Sequence, residues 1–462
     1  MNPLPWLSLY PIECFAILGT FAMAVVRWLP VPARRPVGIV ATVVTVVSVV
    51  TMLVIGLRWQ MLPVLLGAAL ATPAMAAAIR QRTPREVPRW LANLGVLFLV
   101  GLVATGPVAA WAMPVPAFPE PTGRYATGTT VLQWTDTSRE ETATEDPDDQ
   151  RVVVAQLWYP AASDEGERAP YLGRTPQEAR TVATGLAKYF GLPGFVLDQL
   201  ALTRTDAVLD ASPARGSFPV VLFSPELGSV RGQNTAWAEE LASRGYVVVG
   251  LDHLYDSAAV VLEDGTVVRT QLTTDHDAEW NPINWTVVRA ADLRFTLTSL
   301  ATSRFADVLD LDRTAVTGHS MGGSAALMAA RQDHRFTAVI NIDGFPYDPD
   351  PGPFPQPALV LNHPPTADEN PDYLPTVDRV LTLSQTAGYR VEVPGTTPET
   401  FTDAPIWLPP VPYMVGTKSR YEGPRETTEI TALFLDHVLR GSGGDLRAEL
   451  SRHGSLHTPG SG

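Results

Sequence analysis

The stretch "TAVTGHSMGGSAALMAA" (314–330) decides how the rest of the chain is read. A short β-branched run, Thr314–Thr317, ends in Gly318-His319-Ser320-Met321-Gly322-Gly323, and a helix-forming segment, "SAALMAARQ" (324–332), follows at once. This is G-x-S-x-G between a strand and a helix. The reversal is so tight that positions two before and two after the serine must be small. The serine then projects over a helix N-terminus, where backbone N–H groups can hold developing negative charge. The bare pentad is a weak signal; the strand before it and the helix after it make it specific.

Outward from the elbow, strand and helix patterns alternate. "RVVVAQLW" (151–158), "FPVVLFS" (218–224), "YVVVGLDH" (246–253), "RTAVTG" (313–318), "FTAVINID" (336–343), "PALVLNH" (357–363) and "YRVEVPG" (389–395) read as strands. "NTAWAEELASRG" (234–245), about 284–303 and "ETTEITALFLDHVLRG" (426–441) read as helices. "AVVLEDGTVVRT" (259–270) carries the Asp-Gly signature of a hairpin. Such alternation predicts an α/β fold with a doubly wound, mostly parallel sheet covered on both faces. Its functional loops lie at the strand C-termini.

The front of the chain is of another kind. Residues 9–26, 37–57, 59–79 and 91–112 are nearly free of charge and close to the roughly 20 residues that cross a bilayer. They predict an all-α transmembrane region over 1–112. The first run has no basic flank before it and three more spans follow, which argues against a cleaved signal peptide. Residues 1–112 hold eight Arg, no Lys and two acids, a net of +6. The chain as a whole carries −14, which leaves −20 on residues 113–462. Arg27, Arg34 and Arg35 lie in one loop and Arg80, Arg82, Arg85 and Arg89 in another, against Arg58 alone between spans two and three. Positive loops stay in the cytoplasm, so the large domain is expected outside it. Glu13 falls in the first span, near its outer end, and is expected to reach the interface.

The acidic back excludes nucleic acid as a partner, since phosphates require Lys/Arg patches. The single cysteine, Cys14, rules out a disulfide framework and a cysteine-built zinc site. The proline-rich "MPVPAFPEPTG" (113–123) reads as a stiff spacer within a linker over 113–124. The domain proper is expected over 125–441, with a Gly/Ser-rich disordered tail over 442–462. "DTSREETATEDPDD" (136–149) reads as a solvated hairpin loop, and "GLAKYFGLPGFVLDQLAL" (185–202) either as ordinary core or as a lid or membrane-contact segment.

With these pieces in place, residues from about 125 to 440 resemble the plasma-type platelet-activating-factor acetylhydrolases. They also resemble the actinobacterial lipases and cutinase-like hydrolases of the α/β-hydrolase superfamily. The matching stretches are "VAQLWYPA" (154–161), "PVVLFSPELGS" (219–229), "WAEELASRGYVVVGLDHLYDSAAV" (237–260), "LDRTAVTGHSMGGSAA" (311–326) and "FTAVINIDGFP" (336–346). The resemblance implies the α/β-hydrolase fold and cleavage of acyl esters with neither metal nor organic cofactor. It implies Ser320 as nucleophile, Asp343 as the acid, and the N–H groups of Leu227 and Met321 as the oxyanion hole. His253, at a position where relatives also carry a histidine, is implied to line or support the pocket.

Two departures stand out. The histidine that these relatives carry after the last strand falls on Thr397 or Pro398 of "PGTTPETFTD" (394–403). A serine without a base is a poor nucleophile. The oxyanion loop, Ser-His-Gly-Leu-Gly in the relatives, reads Ser224-Pro225-Glu226-Leu227-Gly228, and a glutamate there can repel the charge the hole must hold. Of the other histidines, His363 closes a strand beside the one leading to Asp343 and is the candidate replacement. Three functions stay open. One is a membrane-anchored serine esterase or lipase with an atypical triad, acting on a lipid-like acyl ester. The second is a cyclase, isomerase or lyase on the same fold, using Glu226, Asp343 and His253 as acids and bases. The third is a catalytically dead binding protein.

Overall fold

The structure is a computed structural model that describes residues 9–80, 88–272, 281–367 and 369–459. The chain divides into two compact units, Met1–Val115 with Trp407–Pro409, and Pro116–Ile406 with Pro410–Gly462.

The first unit contains α1 (Pro11–Val25), α2 (Val31–Ile55), α3 (Leu62–Arg80) and α4 (Arg89–Ala112). With short 3₁₀ extensions, these make four helices long and apolar enough to cross a membrane: Pro11–Trp28, Val31–Ile55, Trp59–Arg80 and Arg89–Ala112. Small residues let the helices approach closely. A Cβ on Gly106 would lie 2.6 Å from Val64, and one on Gly19 2.4 Å from the Thr45 hydroxyl. Large apolar side chains such as Leu53, Leu97 and Phe98 face outward. Glu13 departs from its expected place at the interface. It is buried and paired with Arg58 at 2.5 Å, and Arg58 also lies over the Tyr10 ring. A buried carboxylate next to a guanidinium is stabilised by the pair rather than by reaching water.

The second unit runs β1 (Ala126–Glu140), β2 (Gln150–Ala161), β3 (Arg168–Pro170), α5 (Pro176–Tyr189), β4 (Arg204–Leu209), β5 (Phe218–Ser224), α6 (Thr235–Ser243), β6 (Val247–His253), β7 (Ala259–Val261), β8 (Val267–Arg269) and α7 (Pro282–Leu300). It continues through β9 (Leu309–His319), α8 (Met321–Gln332), β10 (Phe336–Ile342), β11 (Ala358–Asn362), α9 (Tyr373–Leu381), β12 (Gly388–Glu392), α10 (Ala404–Trp407), α11 (Pro412–Val415), α12 (Glu422–Arg440), α13 (Leu446–Leu450) and β13 (Ser455–His457). Eleven strands form one sheet in the order β13-β12-β11-β10-β9-β5-β6-β2-β1-β4-β3. The six from β12 to β6 are mutually parallel. β5 and β6 are buried along their whole length, as strands covered on both faces must be. One face packs α7, α8 and α9, centred on Leu293, Leu297 and Met328; the other packs α6 and α12, centred on Trp237, Leu241 and Phe434.

The chain steps from β5 out to β6 and returns to β9 on the other side of β5. The switch point therefore lies between β5 and β9, and the crevice outside their C-terminal ends is where such sheets bind ligands.

Three sequence expectations change. The tail is not disordered through 442–459: α13 forms, and β13 adds antiparallel to β12, pairing His457 with Arg390 and Leu456 with Val391. Leu446 and Leu450 are buried in the core, which outweighs the Gly/Ser composition. The linker is no free spacer from Pro116 on. Phe118 packs against Tyr171 with ring centroids 4.8 Å apart, and Thr122 N–H donates to Glu240 at 2.7 Å. Within the acidic 136–149 stretch, Asp136 and Glu141 are buried and paired, with Arg139 at 2.5 Å and Arg151 at 2.8 Å. In the 185–202 segment Leu197 and Leu200 are core, whereas Phe190, Leu192 and Leu202 remain about half exposed.

Candidate active site

The elbow has the conformation its glycines require. Ser320 sits at φ 52°, ψ −120°, a region that non-glycine residues rarely occupy and that marks stored strain. Its N–H donates to Ile342 C=O at 2.8 Å, tying the turn to the neighbouring strand. A Cβ on Gly318 would lie 2.2 Å from the Gly322 carbonyl, and one on Gly322 only 1.9 Å from the Ser224 carbonyl. Neither position tolerates a side chain. Ser320 is half-buried, and its hydroxyl makes no hydrogen bond among the described residues.

Asp343 follows β10, and His363 follows β11. Ile342 pairs with His319 on one side and Leu361 on the other, so Ser320, Asp343 and His363 leave three adjacent parallel strands at one level. The His363 ring nitrogen Nδ1 lies 2.9 and 2.8 Å from the two Asp343 oxygens, and the His363 backbone N–H reaches Oδ1 at 3.2 Å. The Tyr373 hydroxyl, from α9, donates to the same oxygen at 3.0 Å. The other ring nitrogen, Nε2, lies 3.4 Å from Glu369 Oε1. Burial opposes charging of the His363 ring. The hydrogen bond and charge of Asp343 outweigh it, with Glu369 and Glu392 adding to them, and hold its pKa above the ordinary histidine value.

Two backbone donors that the resemblance assigns to the oxyanion hole make no hydrogen bond among the described residues. Met321 N–H is the first of α8 and has no partner within the helix. Leu227 N–H likewise makes no hydrogen bond among the described residues, although the groups around it are all held.

Glu226 is only partly exposed, with Oε2 3.6 Å from His319 Nδ1. Burial, then the negative charge of Glu399, pushes its carboxyl well above the usual range. Glu399 itself is pushed up to about 7, by burial and then by Asp343. The charge on either carboxyl disfavours ionisation of the other. Glu399 follows Thr397 and Pro398, the two positions on either of which the relatives' histidine would fall. Sequence reading gave Glu226 a repelling role and passed over Glu399, whose only signal was its place in "PGTTPETFTD". His319 is fully buried between these segments, with Nε2 at 3.1 Å from Pro398 C=O. Burial drives its pKa down to about 4, against Asp343, so it stays neutral.

His253 supports the Ser224–Gly228 loop through Ser224 and is itself closed to solvent. It is fully buried, with Nε2 2.9 Å from Ser224 Oγ and Nδ1 2.8 Å from Asp292 Oδ2. Ser224, His253 and Asp292 copy the partner list of a catalytic triad, yet all three are 0% exposed. No substrate reaches that serine. Arg151 and Arg139 hold Asp292 at 2.6 and 2.8 Å. Despite its burial, Arg151 keeps the acid far below the carboxylate range. Burial and then Arg289 lower the pKa of His253. Of the remaining histidines, His334 is exposed, His437 lies on α12 and His453 pairs loosely with Glu426 at 3.5 Å; His276, with Arg82 and Arg85, lies outside the described residues.

Comparison with known proteins agrees with the fold. Residues 113–290 match the family model of platelet-activating factor acetylhydrolase, isoform II, a match that ends before the elbow. The chain resembles the platelet-activating-factor acetylhydrolases. It is 27% identical over 235 residues to a probable 1-alkyl-2-acetylglycerophosphocholine esterase of Arthroderma benhamiae, covering 49% of this chain and 58% of that protein. It is 25% identical over 285 residues to a platelet-activating factor acetylhydrolase of Canis lupus familiaris, covering 53% and 59%. The match thus spans somewhat over half the length of these relatives. A ferulic acid esterase from Streptomyces cinnamoneus superposes with a TM-score of 0.63 at 29% identity, over 74% of this chain and 98% of that one. The second unit is an α/β-hydrolase fold, and the relatives named here are esterases.

Proposed function

We propose that the chain is a carboxylic ester hydrolase in which Ser320 is the nucleophile, His363 the base and Asp343 its orienting acid. The observation that carries this reading is the His363–Asp343 pair at 2.8 Å, at the ends of the two strands next to the elbow's. His363 supplies from the end of β11 the base that the β12 loop lacks.

In the proposed reaction the ester carbonyl lies over the N-terminus of α8. Ser320 Oγ attacks the carbonyl carbon as His363 Nε2 takes its proton. The oxygen gains negative charge and accepts hydrogen bonds from Leu227 and Met321 N–H. Collapse expels the alcohol, which takes the proton back from His363, and leaves an acyl-Ser320. Water, deprotonated by His363, then releases the acid. Asp343 keeps the Nδ1 proton in place, so Nε2 is the basic nitrogen, and stabilises the imidazolium. Contacts between nucleophile and base are commonly loose before substrate binds, so the unengaged Ser320 hydroxyl fits this scheme. Burial and the charge of Glu399 disfavour ionisation of Glu226, which weakens the objection that a glutamate beside the hole repels the oxyanion.

The names of the relatives support a lipid-like or aryl acyl ester as substrate. The four apolar helices support a membrane-anchored enzyme near such substrates, and the arginine distribution supports an extracytoplasmic domain. Partnered in the buried membrane unit by Glu13, Arg58 adds no free charge to the outer side.

The test is hydrolysis of p-nitrophenyl acetate and longer acyl esters by the detergent-solubilised chain and by its Ser320→Ala and His363→Ala variants. Both replacements are expected to abolish turnover. Full turnover by His363→Ala overturns the assignment of the base. Turnover of a non-ester substrate that survives Ser320→Ala favours acid–base chemistry by Glu226 and Glu399 instead.

A further inference from the structure

Arg289, on α7, is 0% exposed and uses all five of its N–H donors on one loop and its anchor. Nε and Nη2 grip the two oxygens of Asp256 at 2.6 and 2.7 Å. Nη1 reaches Ser224 Oγ at 3.2 Å and Pro225 C=O at 2.5 Å, and Nη2 also reaches Glu226 C=O at 3.1 Å. Asp256 in turn accepts Gly228 N–H at 3.0 Å. The guanidinium and its carboxylate therefore hold Ser224–Gly228 at four of its five residues, all but Leu227.

The consequence follows from peptide geometry. The described peptide bonds are trans. In a planar trans peptide the C=O and the following N–H point in opposite directions. With Glu226 C=O fixed toward Arg289, Leu227 N–H is turned the other way. The next carbonyl, of Leu227, accepts from the Tyr189 hydroxyl at 3.2 Å, and Glu226 N–H donates to Gln233 Oε1 at 3.0 Å. From Glu226 N–H through Gly228 C=O, each backbone polar group has a partner among the described residues except Leu227 N–H.

We infer that Arg289 is a positioning residue for the reaction, locking the Glu226–Leu227 peptide so that its N–H is presented to the oxyanion. This rests on the ester-hydrolase reading and deepens it. The side chain touches no reacting atom. Without it, the Glu226 carbonyl keeps only the Ser229 N–H, at 3.1 Å, and the Glu226–Leu227 peptide loses the guanidinium that fixes its orientation toward the developing charge. Lysine is no substitute, because an ammonium cannot reproduce the planar five-donor fork.

The experiment compares the full chain with Arg289→Lys and Asp256→Asn. Three readouts are taken: kcat and KM on p-nitrophenyl acetate, inhibition by an aryl trifluoromethyl ketone, and the rate of Ser320 labelling by a fluorophosphonate. Loss of one oxyanion donor typically lowers kcat by about 10²–10³. Arg289→Lys is expected to show a fall of that size with KM within about twofold, and an equal loss of affinity for the ketone, whose adduct is tetrahedral. Asp256→Asn keeps the fork and its contacts to Ser224, Pro225 and Glu226, and is expected to show a smaller loss of the same pattern. If Arg289→Lys does not fold, Asp256→Asn carries the test. Unchanged kcat, or a rise in KM with ketone affinity kept, overturns the inference. A wild-type chain in which Ser320 takes no label and no ester turns over overturns the reading beneath it instead.

Discussion

Asp343→Asn is the perturbation that the geometry specifies most fully. Asp343 accepts from His363 Nδ1 on both oxygens, from the His363 backbone N–H, and from the Tyr373 hydroxyl. An amide in its place turns one acceptor into an NH₂ donor. Facing His363, that group disfavours a proton on Nδ1 and selects the tautomer with the proton on Nε2, the nitrogen that must accept from Ser320. In serine proteases the same exchange lowers kcat by about 10⁴ while leaving the fold intact, and a loss of that order is expected here. A second effect has a definite sign. The wild type is expected to gain kcat/KM with pH as His363 loses its proton, with an inflection above the ordinary histidine value. Burial alone pushes that value down, and Asp343 is the main opposing influence. The residual activity of the variant should therefore have its acidic inflection at lower pH than the wild type. Initial rates on a soluble acetyl ester from pH 5 to 9, with circular dichroism to confirm folding, measure both. A loss under about tenfold, or an inflection that stays in place, would refute the role given to Asp343.

Glu369→Gln removes the carboxylate 3.4 Å from His363 Nε2 and should shift the acidic inflection downward by less than Asp343→Asn does, with little loss of kcat; an unmoved inflection contradicts the pairing. Glu226→Gln removes a group beside the oxyanion donor that becomes anionic at high pH. The wild type should lose kcat/KM on the alkaline side as the Glu226–Glu399 pair sheds its last proton, and the variant should not. Glu239, buried under the Asp206 and Ala207 N–H groups, has its pKa pushed from 4.5 to about 7 by burial. The folded state then keeps a proton that the unfolded chain has released, so stability falls as pH rises from about 4.5 to 7. The loss is on the order of 3 kcal/mol; urea melts at pH 5 and 8 should show it, and Glu239→Gln should flatten it. Gly322→Ala places a methyl 1.9 Å from the Ser224 carbonyl and should abolish both turnover and labelling; an active Gly322→Ala shows that the elbow yields.

What was legible in the sequence followed from periodicity and from the elbow. Strands buried on both faces write themselves as continuous apolar runs, and "FPVVLFS", "YVVVGLDH" and "FTAVINID" gave β5, β6 and β10 nearly to the residue. Ser320 came with its motif. Asp343 and His363 each close a strand, so sheet topology alone puts them near one another. Hidden were the groups whose role depends on tertiary neighbours. Tyr373 and Glu369 reach His363 from a segment with no motif of its own. Glu399 becomes unusual only when folded against Asp343 and Glu226. Arg289 looks like one more polar residue on a helix until the loop it holds is in place, and Glu13 gives no sign that its partner lies 45 residues away in Arg58. The tail misled for a related reason: its glycines and serines announce disorder, while two leucines, Leu446 and Leu450, dock it.

The central claim is that Ser320 is an activated nucleophile and that His363 activates it. Intact-mass and peptide mass spectrometry after exposure to a fluorophosphonate addresses both parts in one experiment. The account predicts a single stoichiometric adduct on Ser320 in the wild type and none in Ser320→Ala. It predicts an adduct in His363→Ala that forms slower by several orders of magnitude. A wild type that takes no adduct, or a His363→Ala variant that labels at the wild-type rate, contradicts it.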